Sequence, residues 1–368
     1  MMWRQTFMKA RWSLGFLSIS AVLAGNAHAQ SNVTLYGIID TGIQYYNNAT
    51  AAGGSVVGMP SLSGKLPSRF GLKGVEDLGG GYRAFFVLEN GFAVSNGSLG
   101  YGGRIFGRAA NVGIDSQYGS LTLGRQMNMT LYALTDADVI GPSNHSLAVF
   151  DTYLPNARSD NAIGYMGKWR GFTLGGTYSF GRDAAGPAGA SATNCAGQVP
   201  GDFVACRQYT AMLAYASDNF GVTASYDVMR GGTGASAPLS SSADTDTRTI
   251  VDGYAKYGNL KLGAGWIRRN TSSTTHSQSD IFFAGGTYLL TPAISVDAQA
   301  VRYILRTRSD ATLVVGRVSY FLSKRTSVYS SAGYIFNSPS SAIPVSAGGS
   351  VGTGKNQVGF MVGMQQRF

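Results

Sequence analysis

Arg69 and Lys73 stand four positions apart, with Phe70 and Leu72 between them. Side chains of an extended chain alternate between two faces, so both cations point one way while Phe70 and Leu72 point the other. By the same count Arg83, Arg125 and Arg317 fall on the polar faces of their segments. Fixed positive charges gathered on one surface attract anions and create a field, but they neither make nor break bonds. Residues suited to covalent chemistry are scarce. There are only three histidines, and His145 and His276 both sit in loop-like sequence. Asn144-His145-Ser146 are neighbours in sequence and cannot assemble a nucleophile, base and orienting group from one another. Glycine runs such as Gly79-Gly80-Gly81 lack the Lys-Ser/Thr of a phosphate loop. These residues define no catalytic site, no metal centre and no cofactor site.

The elements that must hold such charges are announced by the composition. Of 368 residues 51 are Gly, only 13% are charged and 44% are hydrophobic, with 20 Tyr and 18 Phe against 4 Trp and 2 Cys. Charge is about half the usual ~25% of a soluble domain, and glycine is roughly double its usual share. The glycines have no three-residue period, which excludes a collagen-like chain, and two cysteines exclude a disulfide-rich scaffold. Aromatic and β-branched residues are too abundant for disorder. The formal charge is +10, yet the basic residues form no runs, so nucleic acid is not implied as a partner.

Arg4, Lys9 and Arg11 precede an apolar stretch from Trp12 to Ala24, followed by Asn26-Ala27-His28-Ala29. A basic segment, an apolar core of about a dozen residues and small residues before a cleavage point make a secretory signal peptide over 1–29. The apolar run is well short of the ~20 residues that cross a bilayer as a helix. Cleavage after Ala29 leaves residues 30–368 as a single domain, and with three basic residues removed the net charge falls from +10 to +7. In an exported chain Cys195 and Cys206, eleven apart in one loop, read first as an intraloop disulfide. A metal pair is the alternative, and no histidine lies near them.

Periodicity sets the fold. In the segment 172–180 Phe172, Leu174, Gly176, Tyr178 and Phe180 share one face, and Thr173, Gly175, Thr177 and Ser179 the other. The segment 220–227 repeats this, and in 312–322 Val314, Val318, Tyr320 and Leu322 oppose Arg317 and Ser319. Period-two alternation predicts strands, and a polar face of Gly, Ser and Thr suits water better than a packed sandwich core. A barrel in lipid has this pattern, apolar outward and polar toward a wet interior. Arg or Lys forced onto its lipid face at mid-bilayer costs ~2–4 kcal/mol, which turns the basic residues inward. Short turns such as Arg170-Gly171 and Gly258-Asn259 alternate with long loops such as 47–65, 182–207, 231–246 and 338–355. The segments are 33–46, 68–78, 82–92, 104–116, 121–126, 161–169, 172–180, 208–216, 220–230, 247–257, 260–270, 280–290, 294–305, 311–322, 326–337 and 356–368. The class is all-β, a sixteen-stranded antiparallel transmembrane barrel, wide enough for an aqueous channel. Tyr36, Tyr45, Tyr46, Tyr178 and Phe368 are candidates for its interfacial aromatic girdles.

The order of VTLYGIIDTGIQYY from Val33, SRFGLKGVEDLGGGYRAFFVLENGF from Ser68, GSLTLGRQ from Gly119 and YFLSKRTSVY from Tyr320 resembles the trimeric Gram-negative general porins, most nearly the β-proteobacterial type. The resemblance spans the mature chain and implies an outer-membrane homotrimer, in contact with lipid and lipopolysaccharide, for passive diffusion of ions and small hydrophilic solutes. It implies trimer contacts at the first strands and the second long loop. Phe368, ending an alternating strand, is similar to the signal that the barrel-assembly machinery reads. It further implies that the third long loop, about 127–160, folds inward and narrows the pore. Asp136 and Asp138, after Tyr132-Ala133-Leu134, would be its acids, with Asp151 a third. The family's Pro-Glu-Phe-Gly element is replaced by Gly141-Pro142-Ser143-Asn144-His145-Ser146. Facing the acids would be a basic wall: Arg69 and Lys73, Arg108 at the family's wall arginine, Arg125, and Arg158 at the loop's exit. Asn111 then has outward parity, at a trimer contact or a bulge. The basic excess predicts a modest preference for anions. A channel selective for a sugar or small carboxylate, or an adhesin barrel, are the alternatives.

Overall fold

The alternation in the sequence becomes a set of long antiparallel strands in a computed structural model, which describes residues 32–60, 62–182, 193–306 and 308–368. The signal peptide, 1–29, and its cleavage point lie outside the described residues. The first strands are β1 (Asn32–Tyr46), β2 (Val56–Gly58), β3 (Arg69–Gly79), β4 (Tyr82–Gly91), β5 (Ala109–Ser116) and β6 (Gly119–Met127). Next come β7 (Arg158–Ser159), β8 (Ala162–Trp169), β9 (Phe172–Ser179), β10 (Gln208–Ala216), β11 (Phe220–Arg230) and β12 (Thr245–Tyr257). The last are β13 (Leu260–Ser272), β14 (His276–Thr291), β15 (Ile294–Leu305), β16 (Ser309–Phe321), β17 (Thr326–Asn337) and β18 (Gln357–Arg367).

Strands β2 and β7 are short accessories, and the other sixteen close into an antiparallel barrel. Closure depends on β1, which is shared between two partners. Its first half pairs with β3, from Asn32 opposite Val75 to Ile38 opposite Arg69. Its second half pairs with β18, from Ile38 opposite Arg367 to Tyr46 opposite Gly359. A closed sheet leaves no unpaired edge, which a lipid environment requires. At one end of the barrel the connections are tight. Arg170 and Gly171 hold φ of 45° and 84°, the pair of positive values that a two-residue type I′ hairpin demands. At the other end are the long loops, although Ser273–Thr275 and 306–308 there are also short.

The faces follow the sequence along most strands. Phe172, Leu174, Tyr178, Phe220, Val222, Tyr226, Val314, Val318 and Tyr320 are exposed on the outside, while Thr177, Ser179, Ser225, Asp227, Arg317 and Ser319 are buried inside. Two girdle assignments do not stand. Tyr36 faces the interior, where its hydroxyl donates to Glu89 Oε2 at 2.9 Å, and Tyr46 is buried there also. Both share the parity of Asp40 and Gln44, whereas Tyr45, Tyr178 and Phe368 are exposed. Asn111 is inward, opposite Val87 and two residues from Gly113, and its amide donates to Arg125 O at 2.9 Å. The residue that breaks parity is Arg108, which precedes β5 and is not bound by its alternation.

Candidate functional site: the charged interior of the barrel

The connection from Met127 to Ala162 is the one whose residues meet the interior face most widely. It opens with a helix, Met129–Ala137, preceded by Asn128, whose side chain does not cap it. The barrel wall supplies the missing acceptors. Thr130 Oγ1 and the Tyr153 hydroxyl both donate to Asp227 Oδ2, at 2.7 and 2.5 Å, and the Met129 N–H donates to Thr210 Oγ1 at 3.2 Å. A carboxylate beside the first helical turn also complements the helix dipole. The helix buries Met129, Ala133, Leu134 and Ala137, joined by Leu147 and Leu154, against Ile250, Ile267, Ile281, Phe283, Val301, Leu313 and Ile335. The interior faces of β12–β17 are therefore not the uniformly polar surface that the Gly/Ser/Thr pattern predicts. They are apolar where this segment packs on them.

Beyond the helix the segment is tied to several strands in turn. Gln299 donates to Asp138 Oδ1 at 2.9 Å, Arg317 to Ile140 O at 3.0 Å and Asn144 to Gln44 Oε1 at 2.6 Å. His145 lies between Ser331 Oγ at 3.1 Å and Ser346 Oγ at 3.3 Å. Burial lowers its pKa to about 4, so the ring is neutral at pH 7. Asn144 and His145 thus make docking contacts in the stretch where the resembling family carries an acid.

The acids are placed unevenly. Asp136 is exposed and pairs with Lys261 at 2.9 Å. Asp138 is half-buried, and burial raises its pKa; its Oδ1 accepts from Gln299 and from the Gly141 N–H. Asp151 is also buried, which alone would raise its pKa. Arg248, at 2.8 Å, and Arg269 outweigh that and hold it at about 2. Of the three acids Asp136 is the most exposed, and Lys261 offsets it.

The basic residues gather on β3–β6 and the second loop. Arg69 and Arg108 share one carboxylate, Glu89, at 3.8 and 2.7 Å. Lys73 has the interior parity of Arg69 but sits four residues further along the strand, with its ammonium 5.5 Å from the Tyr36 ring centroid. Arg125 departs from the alternation count. It is opposite Ala110, on the parity of outward-facing Leu121 and Leu123, after Gly124 at φ 110°. Its guanidinium turns back to Gly107 O at 2.7 Å and to Asp160. Arg158 is only 1% exposed, so it does not line open water. It donates to Arg108 O at 2.9 Å and Pro155 O at 3.5 Å. The aromatic ring of Tyr101, from the second loop, lies 5.8, 5.9 and 5.1 Å from the guanidinium carbons of Arg108, Arg125 and Arg158. Sequence reasoning missed Tyr101, Glu89 and Lys65. Glu89 was legible, since it shares a parity with inward-facing Val87, but nothing local marks Tyr101.

Outside the barrel wall, a disulfide joins Cys195 to Cys206. The loop it closes leans on its neighbour, with Cys206 N–H donating to Gly231 O at 2.8 Å and Ser236 N–H to Thr193 O at 2.8 Å. Phe368 exchanges backbone hydrogen bonds of 3.1 Å with Gly37.

A closed sixteen-strand barrel, apolar outside and lined with charge within, is the architecture of an outer-membrane channel. Comparison with known proteins agrees. Residues 17–340 match the family model of Gram-negative porins. Outer membrane porin protein 32 of Delftia acidovorans is 30% identical over 95% of this chain and 98% of its own length. An outer membrane porin protein of Bordetella pertussis is 36% identical over 57% of each chain. Among solved structures, an anion-selective porin from Comamonas acidovorans superposes with a TM-score of 0.75 at 23% identity, over 92% of this chain and 100% of that one. The chain belongs to the Gram-negative porin family, and it forms a channel for passive diffusion in the outer membrane.

Proposed function

We propose that the mature chain, residues 30–368 after loss of the signal peptide 1–29, is a homotrimeric, weakly anion-selective diffusion channel. The observation that carries the selectivity is the surplus of cations beside the pore. Arg69 and Arg108 share Glu89, and among the described residues Arg158 donates only to backbone carbonyls. In this reading the segment 127–160 narrows the channel, with Arg69 and Arg108 facing it, Lys73 further along the wall, and Arg125 and Arg158 acting through their field from behind. Asp136 contributes little against it because Lys261 is its partner. A fixed cationic rim favours one ion sign and weakens as salt shortens the Debye length below ~10 Å.

The trimer reading is supported by the outer face of β1, β3, β5 and β6. It carries a run of exposed aliphatic side chains, Leu35, Ile39, Leu72, Val112, Ile114 and Leu123, with Tyr45 and Phe70 the aromatics among them. The rest of the outer face would meet lipid and lipopolysaccharide, and Phe368 would be the residue read by the barrel-assembly machinery. Reversal potential across a KCl gradient tests the selectivity in a planar bilayer. The expected value lies toward chloride, with conductance steps in threes, and a value toward potassium overturns the anion assignment.

A further inference from the structure

Between the helix Met129–Ala137 and the basic wall lies a cavity of about 510 Å³ with two unlike halves. One half carries Lys65, Arg69, Arg108 and Arg317, and the other Leu131, Tyr132, Leu134, Ile140, Leu147 and Leu154, with Asp138, its Oδ1 held by Gln299 and the Gly141 N–H, also in the lining. Three of the cations already have carboxylates, since Glu89 serves Arg69 and Arg108 and Asp297 accepts from Arg317 at 2.8 Å. Lys65 does not. Its ammonium sits 4.8 Å from the Phe321 ring centroid and 3.5 Å from Ser327 Oγ, and it pairs with no carboxylate among the described residues.

Chloride could answer the spare charge, but it leaves the apolar half covered only by water. A sugar would press hydroxyls against leucine side chains without partners, and a dicarboxylate would press a second charge there. The complementary ligand carries one carboxylate on an apolar body. We propose that this cavity is a binding station for an amphipathic monocarboxylate, whose carboxylate meets Lys65 and the arginines while its body lies against Leu131 and Tyr132. The proposal rests on the anion-preferring channel described above and adds the class of solute that the channel retains. Such a station raises the local concentration of its solute and speeds its passage at low supply. It follows that the solute blocks the ion current while bound.

The test uses the full-length protein in a planar bilayer in KCl, with benzoate, acetate and benzyl alcohol as probes. Benzoate is expected to reduce the current at about tenfold lower concentration than acetate, as burial of one ring face predicts, and benzyl alcohol to have no effect. Tyr132→Ser, a half-exposed position, and Leu131→Asn should each move benzoate toward acetate and leave acetate unchanged. Lys65→Gln should weaken both anions. Equal block by benzoate and acetate overturns the proposal, as does benzyl alcohol matching benzoate. Native β-sheet circular dichroism of the detergent-solubilised protein identifies variants that have folded, and the three-probe comparison on the unaltered protein decides the matter without them. Absence of any KCl conductance would instead sink the channel reading itself.

Discussion

The two charged walls of the barrel interior hold similar numbers of arginines and use them in different ways. On the wall of β12–β16 the arginines are matched by aspartates. Arg248 bonds Asp151 and Asp246, Arg269 bonds Asp246, Arg268 and Arg306 bond Asp280, and Arg317 bonds Asp297. On the wall of β3–β6, Arg104 and Arg125 share Asp160 and Arg69 and Arg108 share Glu89, while among the described residues Arg158 donates to backbone carbonyls and to no carboxylate. A paired wall is cross-linked and electrically quiet at a distance, while an unbalanced wall is less tightly tied and projects a field. The count of arginines therefore says little about selectivity, and their imbalance says most of it.

The contrast is broken hardest by substitution in the paired wall. Arg248 is 2% exposed, so Arg248→Ala strands the buried Asp151, leaves Asp246 with Arg269 alone as its cation, and should destabilise the barrel by ~3–5 kcal/mol. Arg69→Ala, at a 3.8 Å contact, should cost below ~1 kcal/mol. Denaturant unfolding of the detergent-solubilised protein compares them, and equal midpoints would erase the distinction. Ion selectivity should rank them in the opposite order. Exchanging Arg69 and Arg108 for Ser is expected to move the reversal potential toward potassium, whereas Arg268→Ser, which leaves Asp280 with Arg306, should move it far less.

A smaller effect belongs to pH. Burial, and then the neighbouring Arg317, lower the Lys65 pKa to about 8, with Asp297 and Asp40 opposing and Arg367 adding to the lowering. Lys65 is charged below that value and neutral above it. Anion preference should fall between about pH 7 and about pH 9.5 as its charge is lost. In Lys65→Gln that pH dependence should be absent, and its persistence would assign the titration elsewhere. Least of all should follow from reducing Cys195–Cys206. The loop it closes is expected to lose ~2–3 kcal/mol of local constraint, seen as faster proteolysis, with the reversal potential unmoved.

Much of the scaffold was legible because alternation is a direct imprint of which side of a sheet meets lipid. The segment 294–305 coincides with β15, and 220–230 with β11. Alternation fails where the backbone leaves the pleat. Gly124 at φ 110° precedes Arg125, and Arg108 stands ahead of its strand, so neither side chain obeys parity. It also cannot foresee what a distant segment covers. Asp138 reads as a free channel acid until Gln299 and the Gly141 N–H bond its Oδ1, and Ile250 and Leu313 read as misplaced until the segment from the helix Met129–Ala137 to Leu154 joins their apolar cluster. Tyr101 escapes notice because its setting among the arginines is a matter of loop tertiary structure alone.

The shared pairing of β1 fixes when the barrel can exist at all. Ile38 is the hinge of that strand, opposite Arg69 on one side and Arg367 on the other. The second of these partners lies in β18, the last strand of the barrel, so the seam cannot be sewn until translation and export have delivered that strand. Until then the chain has two raw β edges at its opposite ends, each able to recruit any extended neighbour. A seam between the two ends of the sequence is also the slowest kind of contact to find by diffusion. Escort of the unfinished chain is thus built into its topology, and the last hydrogen bonds, between Phe368 and Gly37, mark the moment at which that need ends.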